Sequence, residues 1–146
     1  VVPVAQGMVV NTETERVLTA RRVILELLAS TVDLSEAPEI LAYMKRIGTQ
    51  EGRFEGGVRR EFPVAVDNPF YIRDYSKCVM CWRCIQVCAG DVQNTYALTW
   101  GGRGIHSHVA TAYGVPMPQT TCVFCGNCVG VCPTGALKGK VEASLE

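Results

Sequence analysis

The sequence predicts an α+β protein: a mostly helical N-terminal half over residues 1–70, then a second unit over residues 71–146 with internal pseudo-twofold symmetry and an inserted β-hairpin. Three observations carry this expectation. Apolar residues recur at helical spacing between Val17 and Ile47. Eight cysteines fall into two runs that repeat with the same internal spacing, 44 residues apart. Two segments of strand-like composition flank the glycine-rich stretch Gly101-Gly102-Arg103-Gly104. With 146 residues, 48% of them hydrophobic, the chain can build one domain or two small ones, but no large catalytic domain.

In chain order, Met8-Val9-Val10 reads as a short strand ending at Asn11. Thr12-x-x-Glu15 fits a capping box, in which hydroxyl and carboxylate satisfy the first turn's unpaired N–H groups, so a helix is expected to follow. Val17, Ala20, Ile24, Leu27 and Leu28 form its apolar stripe. A second helix is expected from about Ser35, with Pro38 in its first turn and Gly48 as its stop. Its stripe is Ile40, Leu41, Met44 and Ile47. Residues 49–70, rich in Gly, Pro and charge, read as a surface connection. Phe70 to Tyr75 reads as a strand leading into the first cysteine run. Thr95–Trp100 and Gly104–Ala110 read as the arms of the hairpin.

Fourteen basic residues balance fourteen acidic ones, which argues against nucleic acid or an anionic membrane surface as partner. No apolar run is long enough to span a bilayer. The N-terminus shows no secretory signal and no initiator Met, so the chain reads as a segment of a longer polypeptide. Eight crowded thiols without a secretory signal point to metal in a reducing, cytoplasmic compartment rather than to disulfides.

The first run is Cys78-x2-Cys81-x2-Cys84-x3-Cys88 and the second is Cys122-x2-Cys125-x2-Cys128-x3-Cys132, followed by Pro133. This spacing, occurring twice, is that of bacterial ferredoxins with two [4Fe–4S] clusters. Three thiolates on a tight loop can cap three irons of one cubane. The fourth, entering a short helix, points away toward the other cluster. Cys78, Cys81, Cys84 and Cys132 are therefore expected to hold cluster 1, and Cys122, Cys125, Cys128 and Cys88 to hold cluster 2. Zinc prefers pairs of C-x2-C, and a third cysteine two residues further on is not its pattern. Trp82 stands where the second run has Gly126, and Ala89 where it has Pro133. Ile85, Val87, Val123, Val129 and Val131 are expected to shield the clusters from water.

His106 and His108 alternate in the expected hairpin and so should share a face, without a further ligand beside them. There is no dinucleotide fingerprint, no phosphate loop and no nucleophile–base arrangement, so no catalytic residue is assigned.

The stretch from Tyr71 through Cys78, Cys81 and Cys84, across Gly102-Arg103-Gly104, to Cys122-Val-Phe-Cys-Gly-Asn-Cys-Val-Gly-Val-Cys-Pro-Thr-Gly-Ala136 resembles the two-cluster ferredoxin domain of large oxidoreductase subunits. It is most similar to the N-terminal iron–sulfur region of NAD-linked molybdenum or tungsten formate dehydrogenases. Similar modules occur in [FeFe]-hydrogenases and in the iron–sulfur subunit of NADH dehydrogenases. Pro3-Val4-x2-Gly7-Met8-Val9-Val10 with Arg21-Arg22-x4-Leu27-Leu28 resembles the end of a [2Fe–2S] ferredoxin-like domain and the helix after it. Such relatives place a His-plus-three-Cys cluster next, but residues 29–60 here contain neither Cys nor His. The resemblance implies single-electron relay through two cubanes. It also implies redox partner subunits or domains that bind molybdopterin and flavin or NAD.

Overall fold

The computed structural model describes residues 2–145. Helix α1 spans Glu15–Thr31 and is capped by Thr14, whose hydroxyl accepts from the Val17 N–H at 3.4 Å. The cap thus lies two residues after the expected Thr12, and Glu15 turns instead to Thr19 and Arg22 along the helix surface. Met8-Val9-Val10 is not a strand. It has no pairing partner among the described residues, and Val9 and Val10 lie exposed. The predicted stripe of α1 is also only partly right. Ile24 and Leu27 face solvent, while the residue α1 buries most completely is Glu26. Its carboxylate accepts from the Gln50 N–H at 2.7 Å and from Arg53 at 3.1 Å, which supplies the partners a buried charge needs.

Helix α2, Pro38–Ile47, starts with its proline in the first turn and stops at Gly48, which takes the left-handed conformation at φ 71°. That end is where the sequence places it, because a glycine accepts this conformation at little cost. Ser35 is not the cap. Its N–H closes a turn on Asp33 instead. Between the two helices Val32, Leu34 and Ala37 are buried in a small core that reaches Val79, inside the first cysteine run.

The helical half is tied to the rest through this inter-helix turn. Asp33 N–H donates to Ser76 O at 3.1 Å, and Arg60 N–H donates to Thr31 O at 2.9 Å. Glu36 pairs with Lys77 and with Lys138, and Lys77 also pairs with Asp74 at 3.3 Å. Glu36 can reach Lys138 because Gly135 sits under it; a Cβ there would stand 2.5 Å from Glu36 Oε2.

The second unit opens with β1, Tyr71–Arg73, and closes with β4, Leu137–Gly139, paired antiparallel with Tyr71 opposite Gly139. β1 lies inside the expected strand from Phe70 to Tyr75, whereas β4 has no clear sequence signature. The Asn68 side chain prepares β1, accepting from the N–H groups of Phe70 and Tyr71 at 3.0 Å each. Between these strands run the short helix α3 (Arg83–Gln86), the hairpin of β2 (Thr99–Gly101) and β3 (His108–Ala110), and the short helix α4 (Asn127–Gly130). A last short helix, α5 (Lys140–Ala143), follows β4. The hairpin is present but shorter than expected, since residues 102–107 form its connection. The main core gathers residues from β1, the hairpin, both short helices and β4, including Tyr71, Tyr75, Leu98, Val109, Met117 and Leu137.

Candidate metal centres

The two cysteine runs adopt the same backbone. Met80 and Phe124, two residues after the first cysteine of each run, have φ of 59° and 54°. Trp82 and Gly126 follow at φ 74°, ψ −10° and φ 77°, ψ −5°. In both runs this left-handed turn folds an N–H back onto sulfur: Met80 N–H donates to Cys78 Sγ and Phe124 N–H to Cys122 Sγ, each at 3.4 Å. The third cysteine of each run, Cys84 or Cys128, then enters α3 or α4 and is buried, while Cys81 and Cys125 in the loops stay exposed. Helices α3 and α4 pack on one another, which sets the two runs back to back.

This arrangement sorts the eight sulfurs into two quartets. Cys78, Cys81, Cys84 and Cys132 line one cavity, with Tyr75, Val109 and Thr134 among its walls. Cys88, Cys122, Cys125 and Cys128 line a second cavity, with Tyr71, Thr95 and Met117 among its walls. Each quartet therefore takes three cysteines from one run and the last cysteine of the other. None of the eight is in a disulfide. Among the described residues no group of three or more His, Cys, Asp or Glu closes on a single metal ion. Four sulfurs around one cavity fit a cubane, whose irons each take one thiolate.

The electrostatics point the same way. Burial pushes the Cys84 and Cys128 thiols up to about 12, and raises Cys78 as well. Neighbouring cysteines add to the rise, Cys78 and Cys128 acting on Cys84, and Cys122 and Cys125 on Cys128. Thiols so placed ionise only against strong positive charge, and a bound metal centre supplies it. The surrounding residues add hydrogen bonds to sulfur. Tyr71 Oη lies 3.3 Å from Cys122 Sγ, Thr95 Oγ1 lies 3.3 Å from Cys88 Sγ, and Asn127 Nδ2 donates to Cys125 Sγ at 3.5 Å. Burial and the contact with Cys122 push the Tyr71 phenol well above its ordinary value, so it keeps its proton.

The two departures between the runs have local explanations. Trp82 holds a glycine-like conformation while its ring packs on Trp100 of β2, centroids 5.4 Å apart at 53°. Without a proline after Cys88, the chain continues through a wide helical turn over Val87–Asp91. Pro133 ends the equivalent stretch after Cys132.

Of the expected shielding residues, Val87 and Val123 line a cavity, while Ile85, Val129 and Val131 pack against the core behind it. His106 and His108 do not share a face. His106 lies exposed in the hairpin connection, and His108 in β3 packs its ring on Phe62 with Nδ1 2.8 Å from the His106 carbonyl. The connection breaks the strand alternation on which a shared face depends. Sequence reasoning missed Tyr71, Tyr75, Thr95, Met117 and Thr134 as cavity walls. Only the two tyrosines carried a signal: with Arg73 they alternate along the strand expected from Phe70 to Tyr75, and all three are buried.

Comparison with known proteins agrees with this geometry. The profile of the 4Fe-4S dicluster domain matches residues 71–136. The chain is 39% identical over 142 residues to the NADP-reducing hydrogenase subunit HndD of Solidesulfovibrio fructosivorans, a match covering 92% of this chain and 24% of that subunit. It is 33% identical over 110 residues to a Staphylococcus aureus protein named "putative formate dehydrogenase", covering 74% of this chain and 10% of that protein. The chain thus spans a quarter or less of the length of these relatives. In fold it resembles a chain of an NAD+-reducing [NiFe]-hydrogenase, with a TM-score of 0.76 at 23% identity, over 88% of this chain and 57% of the other. No described helix is long and apolar enough to cross a membrane. Residues 71–136 match the 4Fe-4S dicluster domain, and with its eight cysteines the chain carries two [4Fe–4S] clusters.

Proposed function

We propose that this chain is the electron-relay segment of a larger multi-cofactor oxidoreductase, with Cys78, Cys81, Cys84 and Cys132 holding one cluster and Cys88, Cys122, Cys125 and Cys128 the other. The observation that carries the reading is the partition of the eight sulfurs between two cavities, each quartet drawing three cysteines from one run and the fourth from the other. Bound there, each cluster supplies a one-electron couple. The protein's own residues hold the two centres at a fixed separation through the crossed cysteines, keep water from the buried sulfurs of Cys84 and Cys128, and donate hydrogen bonds to thiolates. Residues 1–70 read as the tail of a [2Fe–2S] ferredoxin-like domain and a helical support. A His-plus-three-Cys centre has no ligands in residues 29–60.

The parent enzyme reads as formate dehydrogenase-like, with partners that bind molybdopterin and flavin or NAD, in the cytoplasm. A hydrogenase parent is the second reading. The higher identity and wider coverage of the match to the NADP-reducing hydrogenase subunit favour it.

The test is iron and acid-labile sulfide content after anaerobic reconstitution, with EPR of the dithionite-reduced sample. About eight irons and eight sulfides, with a spin-coupled signal from two neighbouring cubanes, are expected. About two zinc ions, no sulfide and a silent spectrum would end the relay reading.

A further inference from the structure

The left-handed turns of the two runs match, but the side chains around the quartets do not. Both quartets receive one backbone N–H on their first cysteine, from Met80 or from Phe124, and these contributions are equal by geometry. Beyond them, the quartet of Cys88, Cys122, Cys125 and Cys128 has side-chain partners on three of its four sulfurs: Tyr71 on Cys122, Thr95 on Cys88 and Asn127 on Cys125. A ligating thiolate has lost its proton, so at Tyr71 and Thr95 the hydroxyl must be the donor. Among the described residues the other quartet has a single side-chain partner, Thr134, and it stands 3.9 Å from Cys132 Sγ.

That other quartet instead has charge beside it. Arg60 donates to the Cys78 carbonyl at 3.4 Å and to the Ser107 carbonyl at 3.0 Å, and it has no carboxylate partner among the described ion pairs. Lys77 and Lys138 also lie near, but Glu36 and Asp74 pair with them and offset their fields. Arg83, between Cys81 and Cys84, is exposed to solvent, so Arg60 is the partly buried cation at this end without a carboxylate partner among the described ion pairs.

Hydrogen bonds to the sulfurs and positive charge nearby both favour the reduced, more negative state of an iron–sulfur centre. We propose that the two centres are tuned by separate devices: Tyr71, Thr95 and Asn127 set the potential of the one held by Cys88, Cys122, Cys125 and Cys128, and Arg60 sets the potential of the other. These are positioning and tuning residues, and none is a ligand. The proposal rests on the ligand assignment given under the proposed function. The two devices also differ in range. Contacts to sulfur act one atom at a time, whereas the field of the partly buried Arg60 guanidinium acts over several ångströms.

The experiment is a redox titration followed by EPR on the anaerobically reconstituted chain. It compares the unaltered protein with Tyr71→Phe plus Thr95→Val, with Thr95→Ser as the conservative control, and with Arg60→Gln. Iron and sulfide are measured first. A protein with no clusters would overturn the relay reading itself, whereas loaded clusters leave this inference to be judged by potentials. The double variant is expected to lower one potential by a shift equivalent to about tenfold in the reduction equilibrium, 59 mV for one electron. Thr95→Ser is expected to stay near the unaltered value. Arg60→Gln is expected to lower the other potential, so the gap between the two potentials changes in opposite directions in the two variants. Loaded variants in which both sets move the same potential, move both together or move neither would overturn the proposal.

Discussion

Trp82 and Gly126 hold one left-handed backbone conformation at equivalent places in the two cysteine runs, with very different side chains. For a residue with a Cβ this conformation costs about 1–2 kcal/mol. The contact of Trp82 with Trp100 returns about 0.5–1.5 kcal/mol beyond its buried area. Trp82→Gly is therefore expected to leave stability within about 1 kcal/mol of the parent, checked by anaerobic urea unfolding. Gly126→Ala should cost about 1 kcal/mol, since its Cβ would meet nothing within 4 Å and only the dihedral cost remains. Gly135→Ala should cost clearly more in the same measurement. There the left-handed φ of 68° is joined by a Cβ that would stand 2.5 Å from Glu36 Oε2. Equal losses at the two glycines would mean that Glu36 yields freely and does not pin the helices.

Among the elements, the junction at Glu36 governs how the helical pair sits on the dicluster domain. Hydrogen bonds from Lys138 and Lys77 hold the Glu36 carboxyl below the usual carboxylate range. A carboxyl whose folded pKa is depressed contributes stability above its unfolded value of about 4.3 and loses it as pH falls through the folded value. Glu36→Gln should thus lower stability by about 1–3 kcal/mol near neutral pH, because two largely buried ammonium groups lose a partner. The gap between parent and variant should close as pH drops below about 4.3, and a gap that persists would rule out the carboxylate as its source. What the sequence could reveal divides along the same physical line. Cysteine spacing, the Gly48 stop and the Tyr71 strand were legible because each is fixed by local chemistry. The burial of Glu26, the exposure of Ile24 and the pairing of β4 were not, because each depends on what lies across from it in space. For the same reason Thr95 and Met117 gave no sign that they wall a cavity.

For the whole molecule, most of the buried apolar material lies around the two cavities rather than between long elements. The strands are three residues each, and α3 and α4 are four. Such short pieces are marginal alone, so stability should follow cluster content. Chain stripped of iron by an anaerobic chelator is expected to unfold at a lower urea concentration than loaded chain. An unchanged midpoint would show that the fold stands without its metal. Met117→Ala, at 1% exposure on a cavity wall, should cost about 2–5 kcal/mol, whereas Ile24→Ala, at 62% exposure on α1, should stay within about 0.5 kcal/mol. The pairing of Tyr71 with Gly139 has one more consequence. All eight cysteines lie between those two residues, whose Cα atoms face each other across a single antiparallel rung, about 5 Å apart. The polypeptide enters and leaves this segment through one doorway. A cassette with so narrow a footprint can be spliced into a surface turn of an unrelated host without prying its flanks apart, so residues 71–139 form the unit to transplant when a pair of iron–sulfur centres is wanted elsewhere.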